Sequence, residues 1–306
     1  MEIAIAILAA LILDRLLGEP KHWHPLVGFG NLAQFIESRF NLNGVQDSRL
    51  KLRGLLSLTL LVAPVTAFTA YISYHYNYYF VFEVLVLYLA IGARSLVEHA
   101  QRVSDALLLE RIDNARIFTS HLVSRDTEAM TETDMSRATI ESTLENGSDA
   151  IFAPLFWFVI GGAPAVVLYR LSNTLDAMWG YRTERFKHFG WAAARFDDVL
   201  NYIPARLTAL TYACLGHFQT ALQCWRTQAA SCKSPNGGPV MSSGAGALAL
   251  ELGGPTRYHG KLEDCPVLGR GERPMAKDIV HATTLVQHGI YLWLAIAVVI
   301  GGFSYA

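Results

Sequence analysis

The stretch Gly54–Phe82, GLLSLTLLVAPVTAFTAYISYHYNYYFVF, runs for 29 residues without an Asp, Glu, Lys or Arg. A bilayer core takes about 20 predominantly apolar residues as a helix, and a buried globular helix seldom stays charge-free for so long. Three more runs repeat the pattern: 20 residues at Ala150–Tyr169, 19 at Leu207–Trp225 and 28 at Ile279–Ala306. Ile3–Leu13 is shorter and ends at Asp14. It has no basic segment before it and no small-residue cleavage site, so it reads as an uncleaved, partly inserted helix rather than a signal peptide. Val84–Ala93 extends a further span interrupted by Glu83. The fold class expected is all-α: a polytopic integral membrane protein with five or six membrane segments and long polar helical loops. Residues 1–306 are expected to form a single membrane-embedded domain.

Composition agrees. Of 306 residues 52% are hydrophobic and only 17% charged, against about a quarter charged in an ordinary soluble domain, and mean hydropathy is +0.27. Twenty-five basic against 26 acidic side chains leave a net charge of -1, which excludes a nucleic-acid partner sought by bulk electrostatics. The four cysteines (Cys214, Cys224, Cys232, Cys265) form no CxxC pair, so a disulfide scaffold is excluded and reduced thiols are expected.

Four polar stretches, 14–53, 94–149, 170–206 and 226–278, separate the apolar runs and are too long to be mere connectors. The second carries eleven acidic residues against five Arg between Glu98 and Asp149. Val97, Ala100, Val103, Leu107 and Leu108 recur at helical spacing, as do Ala115, Phe118 and Leu122. A further helix from about Asp134 to Glu145 is expected to stop at Asn146-Gly147. Strand signals are poor. The first, third and fourth stretches all carry enough Lys and Arg to ask for the cytoplasmic side, which single alternating spans cannot satisfy. A broken or re-entrant helix at Gly161-Gly162-Ala163-Pro164 would relieve that conflict.

Residues that could carry chemistry are few. His22-x-His24 can chelate a metal, but beside Trp23 and Pro25 it equally orders a turn. Neither a GxSxG elbow nor a GxxxxGK[ST] loop is present. Ser234-Pro235-Asn236-Gly237-Gly238-Pro239 opens a small-residue helix, Ser242–Ala247. Such a turn can aim backbone N–H groups at a phosphate, or be a plain turn before a tightly packed helix. Ser124-Arg125-Asp126-Thr127-Glu128, with Glu132 and Asp134 behind, can hold Mg²⁺ through carboxylates and grip phosphate through Arg125. The same residues also make a solvated acidic helix start. Asn173, Asp176, Asp197, Asp198, Asn201 and Arg206 lie where apolar runs end, where ionisable groups point to function by default, although Arg206 can simply snorkel.

Several stretches together resemble the cobinamide synthase (CbiB/CobD) family of cobalamin biosynthesis. They are DRLLGEPKHWHPLVGFG (14–30), GARSL (92–96), SRDT (124–127), ESTLENGSDAIFAPLFW (141–157), NTLDAMWGYRTERFKHFGWAAARFDDVLNYIPARLTA (173–209), SPNGG (234–238) and LGGPTRYHG (252–260). The resemblance spans nearly the whole chain, in the family's order. It implies a multi-pass protein of the bacterial cytoplasmic membrane and an acid–amine ligase of the adenosylcobinamide-phosphate synthase type. That enzyme joins adenosylcobyric acid to aminopropanol or its phosphate with ATP and Mg²⁺, in association with other membrane enzymes of cobalamin assembly. By the resemblance, Asp14, Glu19, Lys21 and His24 line the acceptor carboxylate. Asp126 and Glu128 hold Mg²⁺, and Arg125 meets a phosphate. Ser234, Asn236, Gly237 and Gly238 cradle a phosphate. Tyr181, Arg182, Asp197, Asp198, Asn201 and Arg206 contact the corrin or the amine, with Asn146, Asp149, Asn173 and Asp176 also on the substrate. The chain departs from the family pattern at Gly147, where Thr is usual, and at Gly237-Gly238-Pro239. The alternative is a membrane signalling protein resembling AmpE, without ligase activity. A transporter is a third reading, from the spans and Gly/Pro breaks alone.

Overall fold

The computed structural model describes residues 2–20, 24–42, 44–76, 79–181, 183–258 and 260–303. Helices α1 (Glu2–Leu17), α2 (Pro25–Phe40), α3 (Asp47–His75) and α4 (Tyr79–Ala90) come first. They are followed by α5 (Ala93–Leu108), α6 (Ile112–Ser120) and α7 (Glu132–Gly147). A π-helical turn, Ser148–Phe152, leads into α8 (Ala153–Trp179), then α9 (Trp191–Leu200), α10 (Tyr202–Leu215), α11 (Phe218–Gln228) and α12 (Gly237–Ala247). Strands β1 (Glu251–Gly253), β2 (Thr256–Tyr258), β3 (Lys261–Glu263) and β4 (Val267–Gly269) precede α13 (Ala276–Phe303). The described residues are thus all-α apart from two small antiparallel pairs, β1 with β4 and β2 with β3, that the sequence did not signal.

Among the described residues four stretches are long and apolar enough to cross a membrane: Asp47–His75, Tyr79–Leu108, Glu132–Trp179 and Ala276–Gly301. This is fewer than the five or six expected. The run Leu207–Trp225 is the main reason. It breaks at Gly216-His217 into α10 and α11, of 14 and 11 residues, both short of the about 20 that a bilayer core needs. The break is built in by packing. The His217 N–H donates to the Ala247 carbonyl at 2.9 Å, and a side chain at Gly216 would collide with that same carbonyl. Helix α1, at 16 residues, also falls short.

The chain divides into two compact units, 1–92 with 153–201 and 298–306, and 93–152 with 202–297. In the first, α2, α3, α8 and α9 enclose a core of Phe29, Leu58, Leu61, Leu175, Trp179 and Phe189. Helix α1 ends at Gly18, whose φ of 67° is the left-handed conformation of a helix C-cap; the Gly18 N–H donates to the Asp14 carbonyl, and Tyr88 donates to the Gly18 carbonyl. Helix α2 starts with the His24 ring accepting the Leu26 N–H and Pro25 in the first turn. Within α8, Gly161 and Gly162 leave helical geometry (Gly162 φ 61°, ψ -155°), so the broken helix that the charge bias asked for is present. Glu83 supplies the cap: its carboxylate accepts the Ala163 N–H at the restart.

In the second unit, α12 is the centre. Its small residues let neighbours approach closely: a side chain at Gly244 would strike Leu144 and Tyr212, and one at Gly246 the backbone of Ala221. Tyr212 and Trp293 both pack against Phe152, and Trp293 donates to Thr211 at 2.8 Å. Helices α5, α6 and α7 confirm the periodicities of the acidic stretch. Asn146-Gly147 is not the stop it was expected to be, because α7 continues through the π turn into α8. Gly147 serves close approach instead. A Cβ there would lie 2.5 Å from the Tyr212 hydroxyl and 3.0 Å from Val286, so these two residues fill the space a Thr would need.

Gly147→Ala is therefore expected to cost about 1–3 kcal/mol, and Tyr212→Phe about 1 kcal/mol through loss of its bond to the Leu144 carbonyl. The double variant should lose clearly less than the sum. Thermal unfolding of the detergent-solubilised protein measures all three. Strict additivity would contradict the contact.

Candidate functional site

The first unit gathers a hydrogen-bonded polar cluster between the C-terminal half of α8 and α9. Asp197, 7% exposed, accepts from two amides: Asn173 Nδ2 to one carboxylate oxygen at 3.2 Å and Asn201 Nδ2 to the other at 2.9 Å. Each amide is itself fixed. Tyr169 donates to Asn201 Oδ1 at 3.0 Å, and Arg170 to Asn173 Oδ1 at 3.2 Å. An amide whose oxygen is already taken can only turn its NH₂ toward Asp197, so the orientation of both is determined. Burial pushes the Asp197 carboxyl up to about 6 against the pull of the two amide donors. A carboxylate that titrates near neutrality and is held by oriented donors can take or give a proton.

The other residues of this group sit around α1, α2 and α9. Asp14 is buried near the end of α1, whereas Glu19 is exposed just past it. Burial lowers the His24 pKa, opposed by the Glu19 charge and reinforced by that of Arg170. Asp198 pairs with Arg195 at 3.5 Å, Tyr181 is exposed, and the Asp176 carbonyl accepts the Gly180 N–H at 2.6 Å. Lys21, His22 and Arg182 lie outside the described residues. Sequence reasoning missed Tyr169 and Arg170, which carry no motif. It also missed Glu37, a buried α2 carboxylate that receives both Arg185 Nε (3.1 Å) and Nη2 (2.6 Å) and so ties down the segment before α9.

The second unit holds the remaining candidates. Arg206, on α10, forks onto the Gly-rich turn: Nη1 donates to Asn236 Oδ1 at 2.9 Å and Nη2 to the Pro235 carbonyl at 3.1 Å. Its guanidinium also stacks 3.5 Å from the Tyr202 ring centroid. It does more than snorkel. Within the turn, Ser234 Oγ accepts the N–H groups of Asn236 (3.3 Å) and Gly237 (2.9 Å), and the Gly238 N–H donates to the Ser234 carbonyl. The first N–H groups of α12 are thus capped by the turn itself, and Gly238 packs against the Ala229 carbonyl. The tightly packed small-residue helix expected of this segment is present, with Arg206 beside its first turn. Glu145 adds a carboxylate that the motifs did not single out, 3.2 Å from where a Gly237 Cβ would stand.

The acidic segment does structural work. Asp126 accepts the Gly260 N–H at 2.6 Å, and the Asp126 N–H donates to the Arg257 carbonyl, fastening the β2–β3 hairpin. Arg125 pairs with buried Glu141, which also accepts the Gly253 N–H at 2.6 Å. Asp134 closes a capping box with Thr131 at the start of α7, and Glu128 faces solvent. Among the described residues no three His, Cys, Asp or Glu side chains gather to hold a metal. With one Asp126 oxygen committed to the hairpin and Glu128 exposed, this donor set does not fit a resident Mg²⁺. Asn146 bonds back to Ser142 on its own helix, and Asp149 lies close enough to act on Tyr212 electrostatically.

Comparison with known proteins bears on what these clusters serve. A family model described as CobD/Cbib protein matches residues 7–286. A protein of Stutzerimonas stutzeri (strain A1501) called "Cobalamin biosynthesis protein CobD" is 52% identical over 306 residues, covering 100% of both chains. One of the same name from Chromobacterium violaceum is 53% identical over 308 residues, covering 98% of this chain and 99% of its own. Another, from Mycobacterium tuberculosis (strain ATCC 25618 / H37Rv), is 37% identical over 289 residues, covering 92% and 90%. No solved structure matches.

The raised Asp197 pKa makes a stability prediction. The unfolded chain ionises at a lower pH than the folded one, so the Asp197 contribution is fully present below the ordinary carboxylate value and is lost as pH rises through about 6. The wild type should lose roughly 3 kcal/mol at most from this group between pH 4 and 7, and Asp197→Asn should remove that slope. Unfolding across this range, wild type against variant, measures it. Parallel curves would contradict the burial argument.

Proposed function

This chain belongs to the CobD/CbiB family, and we propose that it is the membrane ligase that joins adenosylcobyric acid to aminopropanol or its phosphate in cobalamin biosynthesis. The reading is carried by one observation: the family match runs through the chain from residue 7 to 286, so it includes both polar clusters. The four apolar stretches support a location in the bacterial cytoplasmic membrane.

The reaction needs three things of the protein. The acid's carboxylate must be activated by ATP to an acyl phosphate or adenylate. The amine must lose a proton before its nitrogen attacks the acyl carbon. Phosphate or AMP must then leave as the C–N bond forms. MgATP is a substrate here, with Mg²⁺ arriving on the phosphates, which it binds readily with few protein ligands. We assign the phosphates to the α12 turn, where the helix N-terminus, the Ser234 hydroxyl and the Arg206 guanidinium supply positive potential. We assign handling of acid and amine to His24 and Asp197, which share the field of Arg170, to Glu19, whose charge acts on His24, and to Asp14 near the end of α1. There the Asn173 and Asn201 amides keep Asp197 oriented and tuned to accept the ammonium proton.

Purified protein with MgATP, adenosylcobyric acid and aminopropanol phosphate should form the amide. Arg206→Ala should raise the KM for ATP roughly tenfold or more, the loss of one charge-assisted contact. The signalling alternative forms no product. Absence of amide with either amine and any nucleoside triphosphate would overturn the ligase reading.

A further inference from the structure

Arg170 is a charge near the end of an apolar stretch, Glu132–Trp179, and no motif points to it. Among the described residues its guanidinium makes one hydrogen bond, from Nη1 to Asn173 Oδ1, and Nε is buried with no partner at all. Asp197 lies close enough for the Arg170 charge to act on it, yet the two are not paired. Asn173 stands between them, taking the Arg170 proton on its oxygen and giving its own amide proton to Asp197. His24 also feels the Arg170 charge, and burial holds it toward its neutral form, so it neither repels nor pairs with the guanidinium. A guanidinium cannot shed its proton, and a buried N–H without an acceptor is a rare cost. The Nε and Nη2 edge is the fork that grips a carboxylate or phosphate through two parallel bonds.

We propose that Arg170 is a substrate-binding residue that receives an oxyanion, the carboxylate of the corrinoid acid or the phosphate of the amine, on its Nε/Nη2 edge. Asn173 acts as the positioning residue: its oxygen holds Nη1, which leaves Nε on the opposite edge without an acceptor. The inference rests on the ligase reading for the identity of the two candidate anions, while its test needs no turnover.

The test is equilibrium binding to the full-length, detergent-solubilised protein without nucleotide, using two matched pairs. One pair is adenosylcobyric acid and its neutral primary amide. The other is aminopropanol phosphate and aminopropanol. The wild type should prefer the anion-bearing member of one pair by roughly 10- to 100-fold, the range of a hydrogen bond to a charged group. Arg170→Gln should abolish that preference by weakening the anion-bearing member, while the variant still binds the member that lacks the anion, which also shows that it is folded. Arg170→Lys, with charge but no fork, should keep part of it. The pair affected says which anion is bound. Equal weakening of both members would mean a purely structural arginine. That result, preference intact in Arg170→Gln, or no preference in the wild type would each overturn the proposal. A wild type that shows the preference but forms no amide would end the ligase reading and leave Arg170 in place.

Discussion

In an apolar medium every backbone polar group and every charge must find its partner within the chain. That constraint explains the features that interrupt the helices. Where α8 breaks at Gly161-Gly162, the Glu83 carboxylate meets the freed Ala163 N–H. Where α12 begins, Ser234 and Arg206 satisfy the turn before it. Where the chain leaves α12 for its small strands, Glu141 takes the Gly253 N–H on one oxygen and Arg125 on the other. Removing either partner of such a buried pair would strand a charge, so these carboxylates and arginines hold the backbone in place before they do anything else.

The same logic separates scaffold from chemistry. Asp126, Glu141 and Glu37 are carboxylates that accept from backbone N–H groups or arginines, Asp126 tying a loop to the β2–β3 hairpin and the other two tying a loop to a helix. Asp197 differs. Its partners are two neutral amides, so burial dominates and its proton remains within reach of physiological pH. Arg170 differs likewise, with an orphan N–H where Arg185 and Arg125 have carboxylates. Arg116 and Arg137 also leave Nε without a partner, but each is paired with an aspartate, Asp113 and Asp134, whereas Arg170 has no carboxylate partner among the described residues. A tunable or unpaired charge of that kind is where substrate is expected.

Much of the fold was legible because hydrophobic run length depends only on composition. Three of the four long charge-free runs fall in or along membrane-length helices, and α5 to α7 follow the spacing of their apolar residues. The failures share a cause, since each is a contact distant in sequence. Gly216 ends a run because Ala247 crowds it, and Gly147 looks like a helix stop although Tyr212 and Val286 fill its missing side chain. The short strands exist through pairing partners, not propensity. Among candidate residues, Asp197, Asn173 and Asn201 come together in the first unit and Arg206 and Asn236 in the second, whereas Asp126 fastens a hairpin. Arg170 and Glu145 were invisible because a lone ionisable residue in a helix has no spacing to read.

The amide-forming step proposed for this chain can be tested in living cells. The most direct measurement is growth of a bacterium that depends on cobalamin, lacks its own cobinamide synthase and carries this chain. Supplied with cobyric acid, it should grow as well as when supplied with cobinamide. Growth on cobinamide alone, with the protein present in the membrane fraction, would contradict the account.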